Sequence, residues 1–263
     1  MTERSPAERS DKAPLAASGP ADPHPPEQHS IGRSVVLHLL PGALITLFFA
    51  LAAPLARGLG FPSLLAILLA IPFVLIPFEL GYLLREGRRR NGRLSLEGVV
   101  LYRQSIPAWQ FVVLVVGLFL WSAVAFGLIA LLDAPLIEAL FRWLPDWFFL
   151  DEDLSTYARP VLLATWALGL LANGLAAPIV EELYFRGYLL PRISRFGGWA
   201  PLINTVLFSL YHFFTPWQLL GRILALLPMV YVVWWRRNIY IGMAVHRLGN
   251  TVTILALLPA ILA

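Results

Sequence analysis

Apolar runs of about twenty residues recur along the chain from residue 35 to its end, and this repetition limits the fold more than any motif does. A helix needs about 20 residues to cross the hydrocarbon of a bilayer. Inside lipid the backbone polar groups must be satisfied within the segment, so such runs fold as helices. The chain is 58% hydrophobic and 14% charged, against about 25% charged residues in soluble domains. These features describe an all-α integral membrane protein, a bundle of about seven to eight transmembrane helices. There is no cysteine, which excludes disulfides, thiolate nucleophiles, cysteine metal ligands and palmitoylation together. The basic excess is almost wholly arginine, with Lys12 the only lysine. It is gathered in a few connections, which reads as membrane topology and not as nucleic-acid binding.

Three regions follow from the pattern: a disordered cytoplasmic tail over 1–33, transmembrane helices with an interfacial amphipathic helix over 34–158, and a core over 159–263. The tail is rich in proline and mixed charge and has no apolar run, so it does not read as a signal peptide; His24 and His29 within it read as solvated. Spans are expected at about 35–56, 62–84, 107–132, 160–191, 199–214, 216–235 and 239–263. Pro41, Pro54, Pro72 and Pro77 should kink the first two. Arg85 to Arg93 is the densest positive connection, which makes it and the N-terminus cytoplasmic. Glu79 reads as pairing with Arg85 or reaching water. Glu138, Arg142 and Asp146 recur every four residues beside Leu136, Phe141, Trp143 and Trp147, the pattern of an interfacial helix. Asp151, Glu152 and Asp153 after it read as a solvated face.

Charge inside an apolar span is expensive and marks function by default. Glu181 and Glu182 are followed by Arg186 in the fourth span. On a helix Glu182 and Arg186 lie four apart on one face and can pair, while Glu181 is rotated by about 100° and left free. Phe208-x-x-x-His212 and His246-x-x-x-Asn250 occupy later spans, the latter placing two hydrogen-bonding groups on one helix face. At about 1.5 Å per residue, Glu181, His246 and His212 lie about 16, 14 and 20 Å from the arginine-rich ends of their spans, within roughly one turn of one another. Asn173 and Asn204 read as interhelical hydrogen-bonders, and Arg222 as snorkelling or pairing.

In order and spacing, Glu181-Glu182-x-x-x-Arg186, Phe208-x-x-x-His212 and His246-x-x-x-Asn250 resemble the three motifs of the CPBP or Abi family, which includes the type II CAAX prenyl endopeptidases. The resemblance covers about residues 160–262. It implies an intramembrane endopeptidase in which Glu181 and His212 activate water, His246 and Asn250 stabilise the oxyanion, and Glu182 and Arg186 support the site. The implied partners are a membrane-associated protein or peptide substrate and the lipid bilayer. No cofactor is expected. A zinc-dependent version would use Glu181, His212 and His246 as ligands, and the non-enzyme alternatives are a bacteriocin-immunity or scaffold protein and a small transporter. The arginine and alanine bias suggests a bacterial inner-membrane protein, in which prenylated substrates are not expected.

Overall fold

A computed structural model describes residues 26–150 and 152–262. Those residues are almost entirely helical, and their single β-bridge joins Arg103 to Asn238. Six helices are long and apolar enough to cross a membrane: α1 Ile31–Gly58, α2 Ser63–Asn91, α3 Ala108–Phe141, α4 Arg159–Phe196, α6 Pro216–Arg236 and α7 Ile239–Leu262. The helix between α4 and α6, α5, is only Trp199–Tyr211. It spans about 20 Å at 1.5 Å per residue, so α5 and α6 form a hairpin whose descending arm stops at His212. The protein is an integral membrane bundle, as the apolar runs require. Leu51, Leu55, Val113, Val124 and Leu128 remain more than half exposed, in the manner of side chains that face lipid.

Prolines inside the spans decide how the helices are tied together. A proline has no N–H, so the carbonyl four residues earlier loses its α-helical donor, and an orphaned carbonyl in lipid costs several kcal/mol. At each of four such places another part of the chain supplies the donor. Tyr184 Oη donates to Leu37 O, four before Pro41, at 2.8 Å. Thr251 Oγ1 donates to Gly174 O, four before Pro178, at 3.2 Å. Leu101 N donates to Gly187 O, four before Pro191, at 2.8 Å. Trp121 Nε1 donates to Leu224 O, four before Pro228, at 2.9 Å. Long-range bonds therefore sit where the α-helical donor is missing.

The arginine-rich connection is largely helical, not a loop: α2 continues to Asn91 and is stopped by Gly92 at φ 71°. The chain then folds back over the ends of the spans. Val99 and Val100 are buried, Ile239 N donates to Tyr102 O at 2.8 Å and Gln104 N to Arg237 O at 2.9 Å. Residues 26–30 cover the same end, with His29 N bonded to Arg192 O at 2.9 Å. His29 is 1% exposed, so it is packed and not solvated; His24 lies outside the described residues.

At the opposite end α3 runs without a break through Ile137–Phe141, where Glu138 and Arg142 form an exposed pair at 3.3 Å. Phe148 then packs edge-on against Phe49 at 5.5 Å and beside Trp217 at 6.4 Å. Glu152 is not part of a solvated face. Its carboxylate accepts from Ser63 N at 2.9 Å and Ser63 Oγ at 2.5 Å, which caps the first turn of α2 where a negative charge is favoured. Asp153 does face water, and its bonds to Ser155 hold its carboxyl below the usual range; Asp151 lies outside the described residues.

Candidate active site

The two glutamates lie where α4 changes pitch. Residues Leu170–Ala176 and Glu182–Leu189 are π-helical, with the single α-turn Ala177–Glu181 between them. π-turns are rare and gather at functional sites, and Pro178 accounts for part of the disturbance here. In a widened turn the donor of Asn173 O would be the N–H five residues on, which proline lacks. Asn250 Nδ2 fills that place, 3.1 Å from Asn173 O and 3.4 Å from Asn173 Oδ1. Asn173, read as interhelical glue, is therefore the direct partner of a predicted site residue.

Glu182 and Arg186 pair as the spacing predicts, at 3.3 Å, with both side chains fully buried. Glu181 is not left free: His246 lies between the two carboxylates, with Nδ1 3.2 Å from Glu182 Oε1 and Nε2 3.7 Å from Glu181 Oε2. The approach of α7 depends on Gly242, where a Cβ would overlap Glu182 Oε2. Arg186 also lies over the face of Phe208, 4.0 Å from its centroid. The same ring meets the imidazoles of His212 and His246 edge-on at 4.9 and 6.1 Å, so one phenyl ring positions three site residues.

Sequence reasoning missed two members of this cluster. Glu79 neither reaches Arg85 nor water. It is 0% exposed, neither of its oxygens has a hydrogen-bond partner among the described residues, and it stands near Glu181, Arg186 and Tyr211. Tyr211, also buried, stands beside both Glu79 and Glu181. The signal was depth: Glu79 is about 18 Å from the arginine-rich end of α2 at 1.5 Å per residue, the level already shared by the other site residues. The cluster holds three carboxyl groups against one guanidinium.

His212 is the first residue past α5, with φ −81° and ψ 56°. Its Nδ1 bonds to Phe208 O at 2.9 Å. Donation to a carbonyl fixes that proton, so in the neutral ring Nε2 presents its lone pair. Arg222 is buried and does not snorkel; it donates to Thr215 O at 3.1 Å, to Thr215 Oγ1, and to Gln218 Oε1 at 2.8 Å. Asn204 is a buried bridge, as expected, to Phe185 O and His38 Nε2, both at 3.0 Å.

A cavity of about 1110 Å³ is lined by Glu181, Tyr211, His212, His246 and Asn250 together. Glu182 and Arg186 lie behind its wall. Among the described residues, no three His, Asp or Glu side chains converge as metal ligands. What the cavity does hold is a carboxylate, an imidazole nitrogen with a free lone pair, and neighbouring donors, within an apolar wall. That set can take a proton from water and stabilise a negative oxygen.

No curated protein and no solved structure matches the chain. A family model described as type II CAAX prenyl endopeptidase Rce1-like matches residues 163–252, a stretch that contains all three motifs. That match supports the CAAX-type, or CPBP, family of membrane proteases for this part of the chain.

Proposed function

We propose that the protein is an endopeptidase that hydrolyses a peptide bond of a membrane-associated protein or peptide through directly activated water. The observation that carries this reading is the convergence of Glu181, His212, His246 and Asn250, drawn from three separate segments, on one cavity. Glu181 and His212 Nε2 hold the water between them. Glu181 takes its proton as the water oxygen bonds to the carbonyl carbon, and the proton passes to the leaving nitrogen as the C–N bond breaks. The Asn250 amide serves the developing oxyanion, and His246 Nε2 joins it when the ring carries both protons, since Nδ1–H faces the Glu182 carboxylate. Asn250 does so by exchanging Asn173 O for the substrate oxygen, while Thr251 keeps its hold on the neighbouring carbonyl.

The test is cleavage of a peptide library by the purified protein in lipid nanodiscs. Glu181→Gln is expected to abolish cleavage with the thermal midpoint unchanged. Prolonged chelation is expected to leave cleavage intact, and loss restored by Zn²⁺ would replace this mechanism with a metal-dependent one. An intact protein that cleaves nothing but retains a membrane partner would support the immunity or scaffold reading instead.

A further inference from the structure

We propose that the site is supplied only from the face carrying the segment 134–153, opposite the arginine-rich ends, so that its substrate is a polypeptide segment presented on that face. The proposal rests on the peptidase reading and adds the side of the membrane from which it works. Two sets of observations converge on it.

The first is the course of the cavity. Every residue that lines it belongs to the middle of a span or to the half nearer segment 134–153; none comes from the connections 85–106, 192–199 or 236–238. From Glu181 and His246 it runs past Asn173 and Arg222 towards Asp133, Ala134 and Glu152. At about 1110 Å³ it exceeds the roughly 300–1,000 Å³ of small-molecule sites, which leaves room for a stretch of chain.

The second is the closure of the other end. Below the site Glu182 and Arg186 are 0% exposed. Beneath them Val100 packs so closely on α4 that a Cβ at Gly187 would lie 2.5 Å from its Cγ1. The strap 99–104 is bonded to both flanking spans, through Gly187 O and Ile239 N, and Arg192 Nη1 donates to Val99 O at 3.2 Å. Asn238 Nδ2 adds a bond to Gln104 O at 2.6 Å. Opening this end would expose buried valines and break several backbone bonds at once, whereas the cavity lining already reaches Asp133, Ala134 and Glu152 at the other end. Since arginine-rich ends face the cytoplasm, the substrate is displayed on the non-cytoplasmic side.

The native chain has no cysteine, so single cysteines report the open side directly. Gly249→Cys places one in the cavity beside His246 and Asn250, where a Cβ meets nothing within 4 Å. Ser122→Cys places another on the facing wall. Glu138→Cys and Arg89→Cys, both at exposed side chains, mark the two faces. A membrane-impermeant maleimide is applied to right-side-out and to inverted vesicles, with folding checked by size exclusion. Both cavity cysteines are expected to react only in the vesicles in which Glu138→Cys reacts. Reaction in the vesicles that label Arg89→Cys, or in neither, would overturn the proposal. The readout is independent of turnover: if the protein is no peptidase, the Glu181→Gln comparison fails while the labelling pattern stands.

Discussion

Glu79 and Glu182 show how differently two buried carboxylates can be placed in one cluster. Glu182 has a guanidinium, an imidazole and a bare glycine arranged around it, whereas Glu79 has no hydrogen-bond partner among the described residues. Removing half of a buried ion pair costs about 3–5 kcal/mol. Glu182→Gln is therefore expected to lower the thermal midpoint and the cleavage rate together, while Glu181→Gln removes only cleavage; equal and mild effects of both would refute that division. Gly242→Ala presses a methyl group onto Glu182 and is expected to mimic Glu182→Gln in both measurements. The i, i+4 spacing made the Glu182–Arg186 pair legible in the sequence. The place of His246 between both glutamates was not, because it depends on how closely α7 approaches α4. Glu79 was missed by weighing it against its sequence neighbour Arg85 and not against groups at its own depth.

The elements were legible in order, because lipid leaves an apolar run no alternative to a helix, but the fifth expected span is the short α5 and the expected interfacial helix is a continuation of α3. Their local pitch was not legible. Hydrophobic spacing carries no sign of a π-turn, and the prolines signalled a disturbance without naming the partner that would repair it. The repairs carry two predictions. Trp121→Phe keeps an aromatic side chain but leaves Leu224 O without its donor, and is expected to cost about 1–3 kcal/mol in unfolding measured in detergent, with cleavage retained. Asn250→Ala separates chemistry from bracing. Loss of an oxyanion donor is expected to lower kcat by about 10² to 10³ with little change in KM. Loss of midpoint with kcat retained would reduce Asn250 to a prop for Asn173 O, the part that Thr251 plays for Gly174 O.

Across the whole molecule the arginine-rich end is the closed one, and a buried imidazole lies within it. His29 is packed under Tyr188, their ring centroids 5.7 Å apart, and burial together with Arg33 and Arg192 pushes its imidazole down from 6.5 to about 3. The unfolded chain binds the proton more readily, so this contribution to stability is fully present above about pH 6.5 and is lost as pH falls towards 3. His29→Gln is expected to flatten that acid limb in thermal melts between pH 7.5 and 4, and an unchanged limb would assign it to other groups. The closed end also bears on the order of events in turnover. On the proposal that the site is supplied from one face only, both halves of a cut polypeptide leave along the path by which it entered, and the half still held by the bilayer blocks the next arrival until it diffuses away. Its release, and not the cutting, would then set the pace, giving a fast first turnover followed by a slower steady rate that added product slows further.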